Sequence, residues 1–585
     1  MANENFTILD GQLISYSGHE RSVIVPEGVK VIKEGAFLGC VHIEEVTLPE
    51  GVITIKPKAF WGCVGLKHIK LPSTLCTIEF CAFRECESLE EIDVPEGVFF
   101  LGDSVFQGCE MLQRAYLPDS LTGLGASTFC DCLHLTDVHL PKKIDTISTG
   151  FFRNCVNLRR IEIPENIKAL EENAFFGCTA LEDINLPKDL LSIGNSCFEG
   201  CRKLIKISVP DTIESIGINA FNKTGLMIFC FSDFLVLGGI LVRYMGKDDT
   251  AVVPDGVRFI GDHAFACCEE LKNVVIPASV TDIHDYAFEH CSILESVTLP
   301  AGLKSLGTGV FMDCTALKKL RLPPALNRIG SKLLNNTALE KSNNSDTMIL
   351  EGKYLITYTG SADKFLVPDG IQVIADEAFV QCGGVKEITF PYGLRTIGSG
   401  AFRWRNELKK ISIPSTVTYI GDNAFVNCNE PEITIMNPKG TLCENGFPDG
   451  SLLTFVVGSH VLKIRLVWEV KAGDCPERRL WNFVCSRTKE AFEDLQWSDY
   501  ALPCALCFYE TDSWYKDYVT ENIVDAVCFA AEEGDYALER VLSFGLLSKD
   551  QLQDCINYAI EHKLTQQQMI LLRYRQENFG GEGSV

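Results

Sequence analysis

The sequence predicts an α/β repeat solenoid: a stack of near-identical turns carrying a parallel sheet, interrupted by β-hairpins and followed by an α-helical C-terminal domain. Three observations predict it. Phenylalanine recurs every 23 residues at nine positions from Phe37 to Phe221. Proline keeps the same beat eleven residues earlier, from Pro26 to Pro210. From Glu477 onward this beat is gone, and apolar residues fall at three- and four-residue spacing instead. Self-similarity at such a period is the mark of stacked supersecondary units.

The beat resumes at Phe265, Phe288 and Phe311 with Leu334 in the next slot, and again at Phe379, Phe402 and Phe425, giving sixteen turns in blocks of nine, four and three. One turn shows the physics. Ile69 and Leu71 alternate as in a short strand buried on one face. Pro72 has no N–H for a ladder and should end that strand. Leu75 and Ile78 then point inward on the returning side, and Phe83 is the largest wedge of the turn. No turn buries these groups alone, whereas turns stacked at a strand spacing of about 4.8 Å share one core. Nine turns should span roughly 45 Å.

The interruptions repeat as well. Phe6–Gly18, Phe234–Gly246 and Met348–Gly360 share a pattern in which two apolar runs flank Asp10-Gly11, Gly238-Gly239 or Gly352-Lys353. These pairs suit the positive-φ positions of tight hairpin turns. Each copy places a Tyr (Tyr16, Tyr244, Tyr358) ten residues before a Pro, so three hairpins should each open a block. The nearly all-apolar stretch Leu226–Val242 is 17 residues long with Asp233 inside, too short for a membrane span, and reads as a hairpin.

The pattern Leu-x-x-Ile-x-Leu-Pro-x-x-Leu-x-x-Ile-Gly-x-x-Ala-Phe-x-x-Cys resembles the 23-residue BspA-like, or treponemal-type, leucine-rich repeat over about residues 20–435. The resemblance implies a curved, right-handed leucine-rich repeat solenoid with its parallel sheet on the concave face. It also implies a non-catalytic protein-binding scaffold of bacterial origin, and for surface members of the family an adhesin. Met1–Asp10 has neither a basic n-region nor an apolar h-region. The expectation is a cytoplasmic chain, the alternative being a cell-surface adhesin exported by a non-classical route.

Thirteen of the 26 cysteines, from Cys40 to Cys428, occupy one slot three residues after the Phe. Disulfides or a metal row are one reading. A ladder of small buried thiols is the other, and geometry favours it: parallel neighbours hold their Cβ atoms near the strand spacing, beyond the about 3.8 Å a disulfide wants. Thr224 and Thr337 fill the slot at block ends, and Arg405 breaks it.

With 53 basic and 78 acidic residues the chain carries a formal −25, which argues against nucleic acid or anionic lipid as partner. On the concave face the slot Glu45, His68, Glu91, Arg114, Asp137, Arg160, Asp183, Lys206 alternates in sign and should largely neutralise itself. The candidate protein-binding patch is Arg114, Tyr116, His139 and Arg160, because Tyr and Arg dominate interface hot spots. The partner is an unidentified protein.

The expected divisions are an N-terminal hairpin cap over 1–20, a first block over 21–227, hairpin plus second block over 228–340, and hairpin plus third block over 341–436. An exit and cap segment over 437–475 and a helical domain over 476–585 complete the chain. Val461–Val470 should cap the last turn as a strand. In the helical domain Trp481, Val484, Cys485, Ala491, Phe492 and Leu495 keep helical spacing, and Ser548–Gln551 and Thr565–Gln568 fit capping boxes. Its short paired helices resemble ankyrin-type hairpins without a Thr-Pro-Leu-His signature.

Chemistry is thin. Cys504-Ala-Leu-Cys507 is the only CxxC; Cys475, Cys485 and Cys528 could complete a metal site in the helical domain, but their spacing is arbitrary and two buried helix cysteines are the simpler reading. No HExxH, P-loop or nucleotide-binding GxGxxG occurs, so no catalytic residue, cofactor or metal is assigned.

Overall fold

A computed structural model describes residues 5–429 and, beyond them, 431–439, 441–442, 447, 451–457, 460–465, 480, 483–486, 491, 501–508, 511, 513–533 and 535–579. The chain divides into two compact units, Met1–Ala325 with Leu334–Lys341, and Leu326–Leu333 with Ser342–Val585.

In the first unit most 23-residue turns contribute to two parallel ladders, each broken at a few turns. One is built of three-residue strands: Ser22, Glu45 and His68 lie side by side, as do Glu91, Arg114 and Asp137, every step being one repeat. The other is built of two-residue strands on the returning side, where Thr54–Ile55 pairs with Thr77–Ile78 and that strand with Phe100–Leu101. The returning ladder was not foreseen as a sheet, because two residues are too few for periodicity to register. Its Ile or Leu is buried and its partner residue faces outward.

Between the ladders the Ala-Phe-x-x-Cys segment crosses the turn as a stack of bends. The Phe N–H donates to the carbonyl one turn ahead, as from Phe60 to Ala82 at 2.8 Å and from Phe83 to Val105 at 2.9 Å. Two left-handed residues per turn make this possible, two before and two after the Phe; around Phe60 they are Lys58 at φ 58° and Gly62 at φ 71°. A left-handed residue with a Cβ costs roughly 1 kcal/mol or more, so the stacked backbone bonds and the buried ring must hold it there.

Inside, the rings form continuous columns. From Phe37 to Phe221 successive centroids lie between 4.7 and 5.9 Å apart with the planes within 23° of parallel. Each column begins on a hairpin tyrosine: Tyr16 meets Phe37 at 5.2 Å, Tyr244 meets Phe265 at 5.1 Å, and in the second unit Tyr358 meets Phe379 at 5.5 Å. The hairpins themselves are antiparallel pairs, Phe6–Leu9 with Gln12–Tyr16, Phe234–Leu237 with Ile240–Tyr244, and Thr347–Leu350 with Tyr354–Tyr358. After each of the first two blocks comes a single helical turn, α1 (Gly225–Ile228) capped by Thr224, and α2 (Ala338–Lys341).

In the second unit the third block runs one turn past the sixteen that the Phe–Pro beat marks. Strand Glu432–Met436 continues the ladder from Lys410–Ile413, and Phe447 stacks on Phe425 at 5.9 Å. This turn has lost the Pro and the Cys of the pattern, which is why the expected exit segment began too early. Leu452–Val457 adds a parallel strand, and His460–Arg465 folds back on it antiparallel, ending the sheet with a hairpin. Of the expected cap strand, Val461–Arg465 is present and 466–470 lies outside the described residues.

Helices among the described residues of the C-terminal region include α3 (Ala501–Cys507), α4 (Ser513–Glu521), α5 (Ile523–Glu533), α6 (Asp535–Leu542), α7 (Lys549–Glu561) and α8 (Thr565–Phe579). Ser548 and Gln551 make the full capping box at α7. Thr565 does not cap: α8 already includes it, and Gln568 N–H bonds the Leu564 carbonyl in ordinary helical fashion. Trp481, Phe492 and Leu495 lie outside the described residues.

Candidate functional site

The strands Arg114–Tyr116 and Asp137–His139 are in register, placing Tyr116 directly beside His139. Their rings stack with centroids 4.8 Å apart and planes 6° from parallel. Such an arrangement follows from the repeat: identical backbone one turn apart gives identical side-chain directions, so two flat side chains in one slot must lie face to face. The Tyr116 hydroxyl donates to Glu96 Oε1 at 2.8 Å, and that bond to a carboxylate raises the phenol's pKa. His139 Nε2 stands 4.0 Å from Asp119, which also pairs with Lys142 at 3.3 Å; the Lys142 backbone N–H is the main cause of the lowered pKa of Asp119.

Arg114 lies two residues before Tyr116, on the same face of the strand. Its guanidinium pairs with Glu91 on the neighbouring strand at 2.8 Å and reaches Asp93 at 3.7 Å. The alternation of sign along this slot therefore does produce a cross-strand ion pair, and the same slot pairs Lys364 with Glu387 at 2.6 Å and Lys410 with Glu432 at 3.5 Å in the third block. Exposed pairs of this kind contribute about 0–1 kcal/mol each. Arg160 sits one turn further on, in a strand that pairs with Asp183–Asn185 and not with Asp137–His139. The structure thus groups Arg114, Tyr116 and His139 tightly, with Arg160 exposed at the next turn.

The cysteine slot has a specific bonding role. The thiol of Cys63 donates to the carbonyl of Phe37, one turn back, at 3.0 Å; Cys86 does so to Phe60, Cys109 to Phe83, Cys132 to Phe106, and the series continues through Cys201. That carbonyl already accepts the N–H of the Cys in its own turn, so each thiol occupies its second lone pair. Burial pushes the thiols of Cys132 and Cys155 up, and those of Cys201 and Cys314 to about 12, which keeps these four protonated donors. Arg405 uses its guanidinium to bond the Cys382 carbonyl instead.

In the helical region Cys504 and Cys507 are both buried in α3 and Cys485 is half-buried, while Cys475 lies outside the described residues. The Cys555 thiol on α7 points to the Val524 carbonyl of α5 at 4.0 Å. Among the described residues no three His, Cys, Asp or Glu side chains are grouped to hold a metal ion. No helix among them is long and apolar enough to cross a membrane.

These features define a leucine-rich repeat solenoid, and comparison places it in a family. The family described as BspA type leucine rich repeat region matches residues 15–136, 122–235, 247–355 and 351–466. The chain belongs to that family of BspA-type leucine-rich repeat proteins. Solved structures similar to it include a leucine-rich repeat protein from Bacteroides ovatus, at 21% identity over 72% of this chain and 97% of that one, TM-score 0.34. The T. pallidum leucine rich repeat protein TpLRR matches at 30% identity over 35% of this chain and 90% of that one, TM-score 0.29. A leucine rich cell surface protein from Faecalibacterium prausnitzii matches at 22% identity over 74% and 91%, TM-score 0.29. No curated protein matches the chain.

Proposed function

We propose that this protein is a non-catalytic protein-binding scaffold whose contact patch on the three-residue-strand ladder is centred on Tyr116 and His139, flanked by Arg114 and Arg160. The observation that carries it is the stacked Tyr116–His139 pair. Two flat amphipathic rings are already ordered by the backbone, so a partner that covers them spends little conformational entropy on their ordering. Arg114, held by Glu91 and Asp93, and Tyr116, held by Glu96, are similarly fixed before binding. A scaffold reading also suits a family whose repeats offer extended surface. The 24 cysteines described, all free, suit a reducing compartment.

The test is affinity capture from the native host with the full chain and with a Tyr116→Ala/His139→Ala variant, followed by binding of the recovered protein in purified form. The expected result is a partner whose affinity drops at least about tenfold with the double variant, as for hot-spot side chains. A partner bound equally by both proteins would move the interface elsewhere, and repeated recovery of none would end the scaffold reading. Fractionation of the same cells decides the compartment.

A further inference from the structure

The second unit contains a groove of about 390 Å³ that the repeat surface does not account for. Small-molecule sites occupy roughly 300–1,000 Å³ and are mostly apolar with a few polar groups placed to orient the ligand. This one fits that description. Its walls come from the final strand at Leu462, from α3 at Pro503 and Leu506, from α5 at Phe529, and from α6 at Val541. Two side chains of a different kind reach it: Lys463, next to Leu462 on the final strand, and Arg540, next to Val541 on α6.

Both cations are solvent-exposed, and neither forms an ion pair with any carboxylate among the described residues. In a chain of formal net charge −25, two cations with no acidic partner among the described residues meet at one apolar groove, and together they favour an anionic ligand there. The Arg540 charge is felt inside the groove. It opposes the effect of burial on the Cys507 thiol of the wall, which nevertheless rises to about 11 and stays an uncharged part of that wall.

We propose that this groove binds an anionic amphiphile of fatty-acid type, its hydrocarbon chain against Leu506, Phe529 and Val541 and its carboxylate held by Arg540 and Lys463. The charge complementarity selects the head group, and no acidic side chain lines the groove among the described residues. The site is separate from the Tyr116–His139 patch and does not depend on it.

The experiment is calorimetric titration of the full-length protein with decanoate below its micellar concentration and with decanol as the uncharged control. Saturable one-to-one binding of decanoate, at least about tenfold tighter than decanol, is expected. Arg540→Ala and Lys463→Ala should each weaken decanoate about tenfold and leave decanol unchanged. Both positions are exposed, so thermal unfolding should show these variants folded. Ala537→Phe, which places a ring in the groove, should remove binding of both compounds. The proposal is overturned if wild type binds no decanoate saturably, if decanol binds as well as decanoate, or if the two charge variants bind like wild type. Displacement of decanoate by a short peptide of Phe and Glu residues that binds more tightly would overturn the lipid assignment in favour of an acidic peptide.

Discussion

Thr224 stands where the preceding turns carry a cysteine, and its hydroxyl donates at 2.6 Å to the carbonyl oxygen of Phe221, in its own turn. The cysteines reach back to the turn before; the threonine reaches to itself. Phe221 is the last ring of its block, with no Cys-bearing turn of the same block to follow, and Thr224 gives its carbonyl a second donor; the Phe198 carbonyl, which a cysteine in that slot would have served, accepts the Cys201 N–H and no thiol. Thr337 does the same for Leu334 at 2.8 Å at the end of the second block. The two residue types in the slot therefore mark interior and end.

Thr224→Val keeps shape and removes the donor at a fully buried site. It should lower the stability of the first unit by about 1–2 kcal/mol, while Thr224→Ser costs less. Urea unfolding followed by circular dichroism measures both, and equal losses for Val and Ser would mean that the hydroxyl is immaterial.

The ladder thiols make stability depend on alkaline pH. Unfolded thiols ionise near 9, whereas Cys201 and Cys314 in the fold do so at about 12 because burial penalises the thiolate. The folded chain thus holds protons that the unfolded chain releases. Their contribution is intact below pH 9 and declines as pH rises from 9 towards 12. Unfolding midpoints taken between pH 8 and 11 should fall with a slope that lessens when several ladder cysteines are replaced. In the native protein at pH 8, exposed Cys267 should react with maleimide well before the buried Cys109.

Asp262 gives a handle of the same sign at acid pH. Burial, and then the charge of Asp285, raise its carboxyl from 3.8 to about 6. Folded protein binds this proton more tightly than unfolded, so the group's stability is full below about pH 4 and lost as pH rises through 6. Its oxygen accepts the Asp285 N–H at 3.0 Å, a bond an amide oxygen can keep. Asp262→Asn should therefore raise the melting temperature at pH 7, and the gain should vanish at pH 4. A gain of the same size at both values would locate its origin outside the charge.

Phe83→Ala should cost about 3–5 kcal/mol, since it opens a cavity in the middle of a ring column with both neighbours fixed by backbone bonds. Arg114→Ala, by contrast, removes an exposed ion pair and should change stability by less than about 1 kcal/mol. Paired denaturation curves of the two variants test that contrast, and it also separates core from contact patch before any partner is in hand.

How much of this was legible depended on repetition. The Phe beat, the hairpins and the thiol ladder were written many times over, so one slot could be read against its equivalents. The returning two-residue strands were not, because Thr54–Ile55 is too short to carry a period. The turn around Phe447 was missed because it follows Phe425 by 22 residues without the Pro or Cys that mark the others. Within the candidate patch, the cross-strand neighbourhood of Tyr116 and His139 followed from equal spacing, while the hydroxyl bond to Glu96 needed the actual course of the turn. Lys463 and Arg540 lie 77 residues apart on a strand and a helix, and nothing in either segment's pattern points to the other.

The tyrosine at the head of each ring column has an evolutionary corollary. A block that begins with its own hairpin ring and, in two cases of three, ends with its own threonine is a cassette. Whole turns can be gained or lost between those two markers without redesigning either terminus, and complete cassettes can be duplicated in tandem. Blocks of nine, four and four turns in a single polypeptide are what such copying leaves behind.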